Sequence, residues 1–146
     1  MKRNVRILYS VTTGLSLLVG IWHFFVPWMF QWYNYLPMQY ENLIVGIDYT
    51  NYCFSFLLTG LSLLLLVLAK KALSLHPEVI YFYWFLTAVW IFRACLSTFI
   101  EPWPLEPILA AAIGQLVLSD TLAALMAYVS VQLYSALKNK HSKNVN

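Results

Sequence analysis

Four runs of apolar residues, each long enough to cross a lipid bilayer, constrain this chain more than any other feature. A hydrocarbon core of about 30 Å takes roughly 20 residues of helix to span. The first run extends from about Val5 to Val26 and the second from about Tyr49 to Ala69. The third extends from about Val79 to Ile100, with Pro77 ahead of its first turn, where a missing N–H costs little. The fourth starts at Pro107 and continues to Tyr134 or Leu137, long enough to tilt or to protrude. Composition agrees: only 10% of the residues are charged, against about 25% in soluble domains. The expected fold is an all-α membrane protein, one domain over residues 1–146, forming an antiparallel bundle of four transmembrane helices.

Basic residues precede the first run, as they precede a secretory signal. Its apolar stretch is too long for a signal core, however, and ends in the bulky WHFFVPW, so the segment is expected to be retained. Lysine and arginine then set the orientation. Lys2, Arg3 and Arg6, then Lys70 and Lys71, then Lys138, Lys140 and Lys143 all fall on one side. The other two connections hold Glu41, Asp48, Glu101 and Glu106 and no lysine or arginine. Both termini are therefore expected in the cytoplasm of a bacterial cell, with the chain in the cytoplasmic membrane. No basic run is long enough to mark a nucleic-acid partner.

On the outer side lies IWHFFVPWMFQWYNYLP, from Ile21 to Pro37. Nine of the nineteen residues from Trp22 to Tyr40 are Trp, Tyr or Phe, with His23 among them. Amphipathic rings favour the membrane–water boundary, which makes this an interfacial anchor between the first two helices. A sharper reading makes Trp28 and Trp32 a lid over a cavity for an apolar ligand such as a lipid or quinone.

Lipid is as apolar as a helix surface, so membrane helices associate through small residues and polar contacts. Each run carries such a stripe at helical spacing. They are Tyr9, Thr12, Ser16, Gly20 and His23; Asp48, Asn51, Ser55, Thr59 and Ser62; Tyr83, Thr87, Trp90, Arg93, Ser97 and Glu101; and Ala112, Gln115, Ser119, Ala123 and Ser130, with Asp120 beside Ser119. The hexapeptide TGLSLL occurs twice, at Thr13–Leu18 and Thr59–Leu64, and reads as close packing of small residues rather than as a repeat fold. Arg93 and Asp120 are the ionised groups deepest in the spans, placed by counting about 10 Å apart in depth. They pair, share a water-filled crevice, or simply fasten helices together.

Several chemistries lack their residues. Only His23 of the three histidines lies in a span, so haem held by two histidines is not indicated. Cys53 and Cys95 have no CxxC spacing, and no metal site is expected. Nucleophile-elbow, HExxH and phosphate-loop motifs do not occur. The span layout, with an aromatic turn after the first span, resembles the small bacterial membrane proteins of the DoxX-like type, nearest locally at GIWHFFVPWMF (Gly20–Phe30). That resemblance implies a four-helix bundle and, as in some members, a place in quinone-linked or redox complexes; it assigns no residue a role.

The leading expectation is a non-enzymatic membrane protein with an outward-facing polar pocket formed by His23, Asp48, Asn51, Arg93, Gln115 and Asp120 and roofed by Trp28 and Trp32. It would bind a small amphipathic molecule or lipid, or a partner membrane subunit, possessing no obligate cofactor. Competing readings are a redox subunit that uses a quinone, and a small transporter that forms a homo-oligomer and uses Arg93 and Asp120.

Overall fold

The computed structural model describes residues 2–36, 39–100 and 109–145. Helix α1 covers Arg3–His23, and a short α2 (Val26–Met29) and a 3-10 turn (Trp32–Asn34) follow it. Helix α3 covers Glu41–Val67, the short α4 Ala69–Leu73, and α5 Pro77–Cys95, which continues as a π-helical turn over Leu96–Ile100. Helix α6 covers Leu109–Val145. Four of these helices are long and apolar enough to cross a membrane. Glu101, Glu106 and the expected start of the fourth span at Pro107 lie outside the described residues.

Two helices are longer than the apolar runs suggest. α3 begins at Glu41 rather than near Tyr49. A carboxylate in the first turn favours a helix start through the dipole, and Asp48 bounds an apolar stretch without breaking a helix. α6 has 37 residues, about 55 Å at 1.5 Å per residue, so it projects well beyond a bilayer core. Its lysine-bearing end returns to the turn before α5, where Lys140 Nζ donates to the Ser74 carbonyl at 3.4 Å.

α1 packs chiefly on α3, and α5 on α6; α1 also meets α6, and α3 meets α5. α1 and α5 are thus diagonal neighbours, joined through long side chains across the middle. The Tyr9 and Tyr83 rings stack at 4.6 Å, Thr12 Oγ1 and Tyr83 OH lie 3.1 Å apart, and Trp90 Nε1 donates to Ser16 Oγ at 2.9 Å. Contacts between α1 and α3 run in opposite order along the two helices. Tyr9 OH donates to the Leu65 carbonyl at 3.0 Å, Ser16 and Ser62 hydroxyls meet at 2.8 Å, and Asn51 Nδ2 donates to the His23 carbonyl at 3.0 Å. The two helices are antiparallel.

The polar stripes turn towards one another. Tyr9, Thr12, Ser16 and Gly20 of α1 are buried, as are Asn51, Ser55 and Ser62 of α3, Tyr83, Thr87 and Trp90 of α5, and Ser119 of α6. Leu18, Phe56, Leu57, Phe85, Phe92 and Val117 face outwards, where hydrocarbon would cover them. Cys53 and Cys95 are free thiols on the exposed face.

The two TGLSLL copies touch through their serines, Ser16 and Ser62, and not through their glycines. A side chain at Gly14 or Gly60 would meet nothing within 4 Å. Close helix approach occurs instead at Gly20, where an added Cβ would lie 2.7 Å from Thr59 Oγ1 and 2.8 Å from the Thr59 backbone nitrogen.

Candidate functional site

Large side chains fill the bundle around Tyr9, Tyr83, Trp90 and Met126. Towards the aromatic turn the filling stops. α1 ends at His23, α3 presents Gly46, Thr50 and Asn51, and a cavity of about 660 Å³ opens between the helices, within the usual range of about 300–1,000 Å³ for ligand sites. Trp22, Val26, Trp32, Leu43, Ile47 and Phe54 supply its apolar wall; His23, Asn42, Thr50, Asn51, Arg93 and Gln115 supply its polar groups.

Some of these polar groups are committed to the fold. The Asn51 amide caps the His23 carbonyl, one of the acceptors that a helix C-terminus leaves without an internal donor. Arg93 Nε donates to Ser119 Oγ at 3.1 Å, and the Arg93 guanidinium carbon lies 5.8 Å from the Trp90 ring centre, within cation–π range. Ser97 Oγ donates to the Arg93 carbonyl at 3.0 Å, at the start of the π-helical turn.

Others have no protein partner. His23 packs edge-on against Phe54 at 5.2 Å and Trp22 at 5.3 Å. Its Nε2 is buried without a hydrogen bond among the described residues, and so is Gln115 Oε1. Leaving a buried polar atom unpaired costs about 1–3 kcal/mol. The same holds for charge. Among the described residues, Arg93 is the only ionised side chain lining the cavity, and no ion pair reaches it within 4.0 Å. Arginine at the centre of a spanning helix costs about 2.5–3.5 kcal/mol on insertion scales; Arg93 lies seven residues from the end of its candidate span, roughly 10 Å along the helix.

A side-chain hydrogen bond ties the turn beside the cavity to α3. Gln31 adopts a left-handed conformation (φ 51°) immediately before Trp32, which lines the cavity. Tyr33 OH then donates to Asp48 Oδ1 at 2.8 Å, tying the turn to α3. Burial in the turn and the neighbouring carboxylate push the Tyr33 phenol up to about 12. The neutral phenol is the donor, so its contribution is complete below the ordinary tyrosine value near 10 and is lost as pH rises through about 12. Tyr33→Phe is expected to loosen the turn by about 1 kcal/mol. Amide hydrogen exchange over residues 31–36 should then quicken about fivefold; unchanged exchange would show that the hydroxyl does not hold the turn.

Of the eight residues expected to converge, His23, Trp32, Asn51, Arg93 and Gln115 line this one cavity. Asp48 is turned to Tyr33. Trp28 is 67% exposed on the far side of α2. Asp120 is exposed, and Thr98 Oγ1 donates to its Oδ1 at 3.3 Å; Arg93 and Asp120 form no ion pair within 4.0 Å. Neighbours on a helix diverge by about 100°, so Asp120 leaves the stripe that Ser119 belongs to. Trp22, Asn42, Thr50 and Phe54 also line the cavity. Helical spacing around Asn51 could have found Phe54, three residues on; nothing local marks Asn42, which lies ahead of the apolar run.

No family model matches the chain, and neither the curated proteins nor the solved structures include a match, so the likeness to DoxX-like proteins rests on span layout alone.

Proposed function

We propose that this protein is a multi-pass protein of the bacterial cytoplasmic membrane, both termini inside, whose outward-facing cavity binds a small amphipathic molecule. The carrying observation is the combination, in about 660 Å³, of aromatic and aliphatic walls with the side chains of His23, Asn51 and Gln115 and with an Arg93 charge that has no ion pair among the described residues. Ligand pockets pair an apolar lining with a few convergent polar groups in this way. A quinone is a second occupant that the aromatic walls admit, because its carbonyl oxygens could accept from Arg93.

Gly46 gives a direct test. It lines the cavity, and a side chain added there meets nothing within 4 Å, so Gly46→Phe should fill the space without breaking the bundle. Native mass spectrometry of protein taken from membranes should show a retained small molecule in the natural chain and at least a tenfold loss in Gly46→Phe. Identical adducts in both would overturn the reading. Absorbance of the extract decides whether the molecule is a quinone.

A further inference from the structure

A second hollow adjoins the cavity. It is an apolar groove of about 370 Å³ between α1 and α6, floored by Leu15, Leu18, Val19 and Leu118, with Gly114 leaving its wall open. Trp22 and Gln115 line both spaces, so these two side chains are the partition between them. From Trp22 to Leu15 the groove runs about two helical turns, roughly 10 Å, away from the aromatic turn and towards the bilayer centre. Its mouth faces outwards between two spanning helices, where Leu15, Leu18 and Leu118 are exposed.

Resting on the cavity reading above, we infer that the occupant is an acidic amphiphile with one long apolar chain, its head beside Arg93 and its chain lying in the groove between α1 and α6. Arg93 makes the head acidic. Apart from the Trp90 ring, only its Nε has a partner, a neutral serine, which leaves both terminal nitrogens without a hydrogen bond among the described residues. The Gln115 amide nitrogen, which makes no hydrogen bond among the described residues, would add a further donor. The groove makes the chain long. Head at the turn and chain towards the midplane is also the attitude of a lipid in that leaflet, so the molecule could slide in sideways past Trp22 without leaving the membrane.

Gly114 again offers an open position: its side chain would meet nothing within 4 Å, so Gly114→Phe should block the groove and spare the cavity. Binding of oleate, 1-oleoyl lysophosphatidate, octanoate and uncharged monoolein to the full chain in mild detergent would be followed by native mass spectrometry at neutral pH. Oleate or lysophosphatidate should bind at least tenfold tighter than monoolein, and whichever binds tighter identifies the head as carboxylate or phosphate. Arg93→Gln should erase that preference. Gly114→Phe should weaken binding of the long-chain acid at least tenfold while leaving octanoate unchanged. Equal binding of monoolein in the natural chain, or undiminished long-chain binding in Gly114→Phe, would overturn the inference. A Gly46→Phe loss alongside either result would leave the cavity reading standing and remove only the acidic, long-chain occupant.

Discussion

Replacing Trp90 with alanine is expected to destabilise the bundle by about 2–3 kcal/mol. Trp90 is 1% exposed and sits where α5 reaches diagonally to α1. In a soluble core such a truncation costs about 3–5 kcal/mol, part of it transfer from water and part the cavity left behind. Between membrane helices the transfer part largely falls away, because lipid is as apolar as the core, while the cavity part and the lost dispersion contacts remain. The indole also donates to Ser16, whose hydroxyl meets Ser62, so Trp90→Ala opens a hole and removes the donor of a three-helix polar link. Trp90→Phe separates the two contributions. It keeps most of the volume and should cost only about 0.6–1 kcal/mol for the hydrogen bond. Reversible unfolding in mixed micelles reads both. A Trp90→Ala value no larger than that of Trp90→Phe would mean that the centre relaxes around the loss.

Gly20→Ala is expected to cost about 1–3 kcal/mol, the usual scale for overpacking. The new methyl would lie 2.8 Å from the Thr59 backbone nitrogen. Backbone cannot rotate away as a side chain can, so α1 and α3 must separate there. The separation would pull on the Asn51–His23 link one turn on, and the cavity floor should feel it. Gly14→Ala is the matched control. Its methyl meets nothing, and alanine is the better helix former by about 1 kcal/mol, so that variant should be at least as stable as the natural chain. The same unfolding measurement decides; equal effects at the two glycines would remove the close approach from the account.

The physical reason that much of the fold was legible is that a bilayer imposes a length and a polarity on everything crossing it. Four apolar runs gave the four helices, and the spacing of Tyr9, Thr12, Ser16 and Gly20 gave the face that α1 buries. Helix ends were less legible. Hydropathy records where lipid begins, whereas Glu41 starts a helix and α6 continues past Leu137 because backbone hydrogen bonding does not stop at the membrane surface. The gathering of the site was partly visible: His23, Asn51, Arg93 and Gln115 each stand on a polar stripe. Asp48 and Asp120 stand out in the chain by their charge, yet each accepts from a nearby hydroxyl, Tyr33 and Thr98. Trp28 and Trp32 look alike in the chain; with a left-handed residue, Gln31, between them, one lines the cavity and the other is exposed.

The sequence by itself determined that the chain makes four apolar helices with hydrophilic sides, since a solvent that forms no hydrogen bonds permits little else. Tertiary structure alone decided where the packing runs out. A void depends on how far large side chains from one helix reach across to small ones on another, and that reach is set by crossing and register, which no single stretch of residues records.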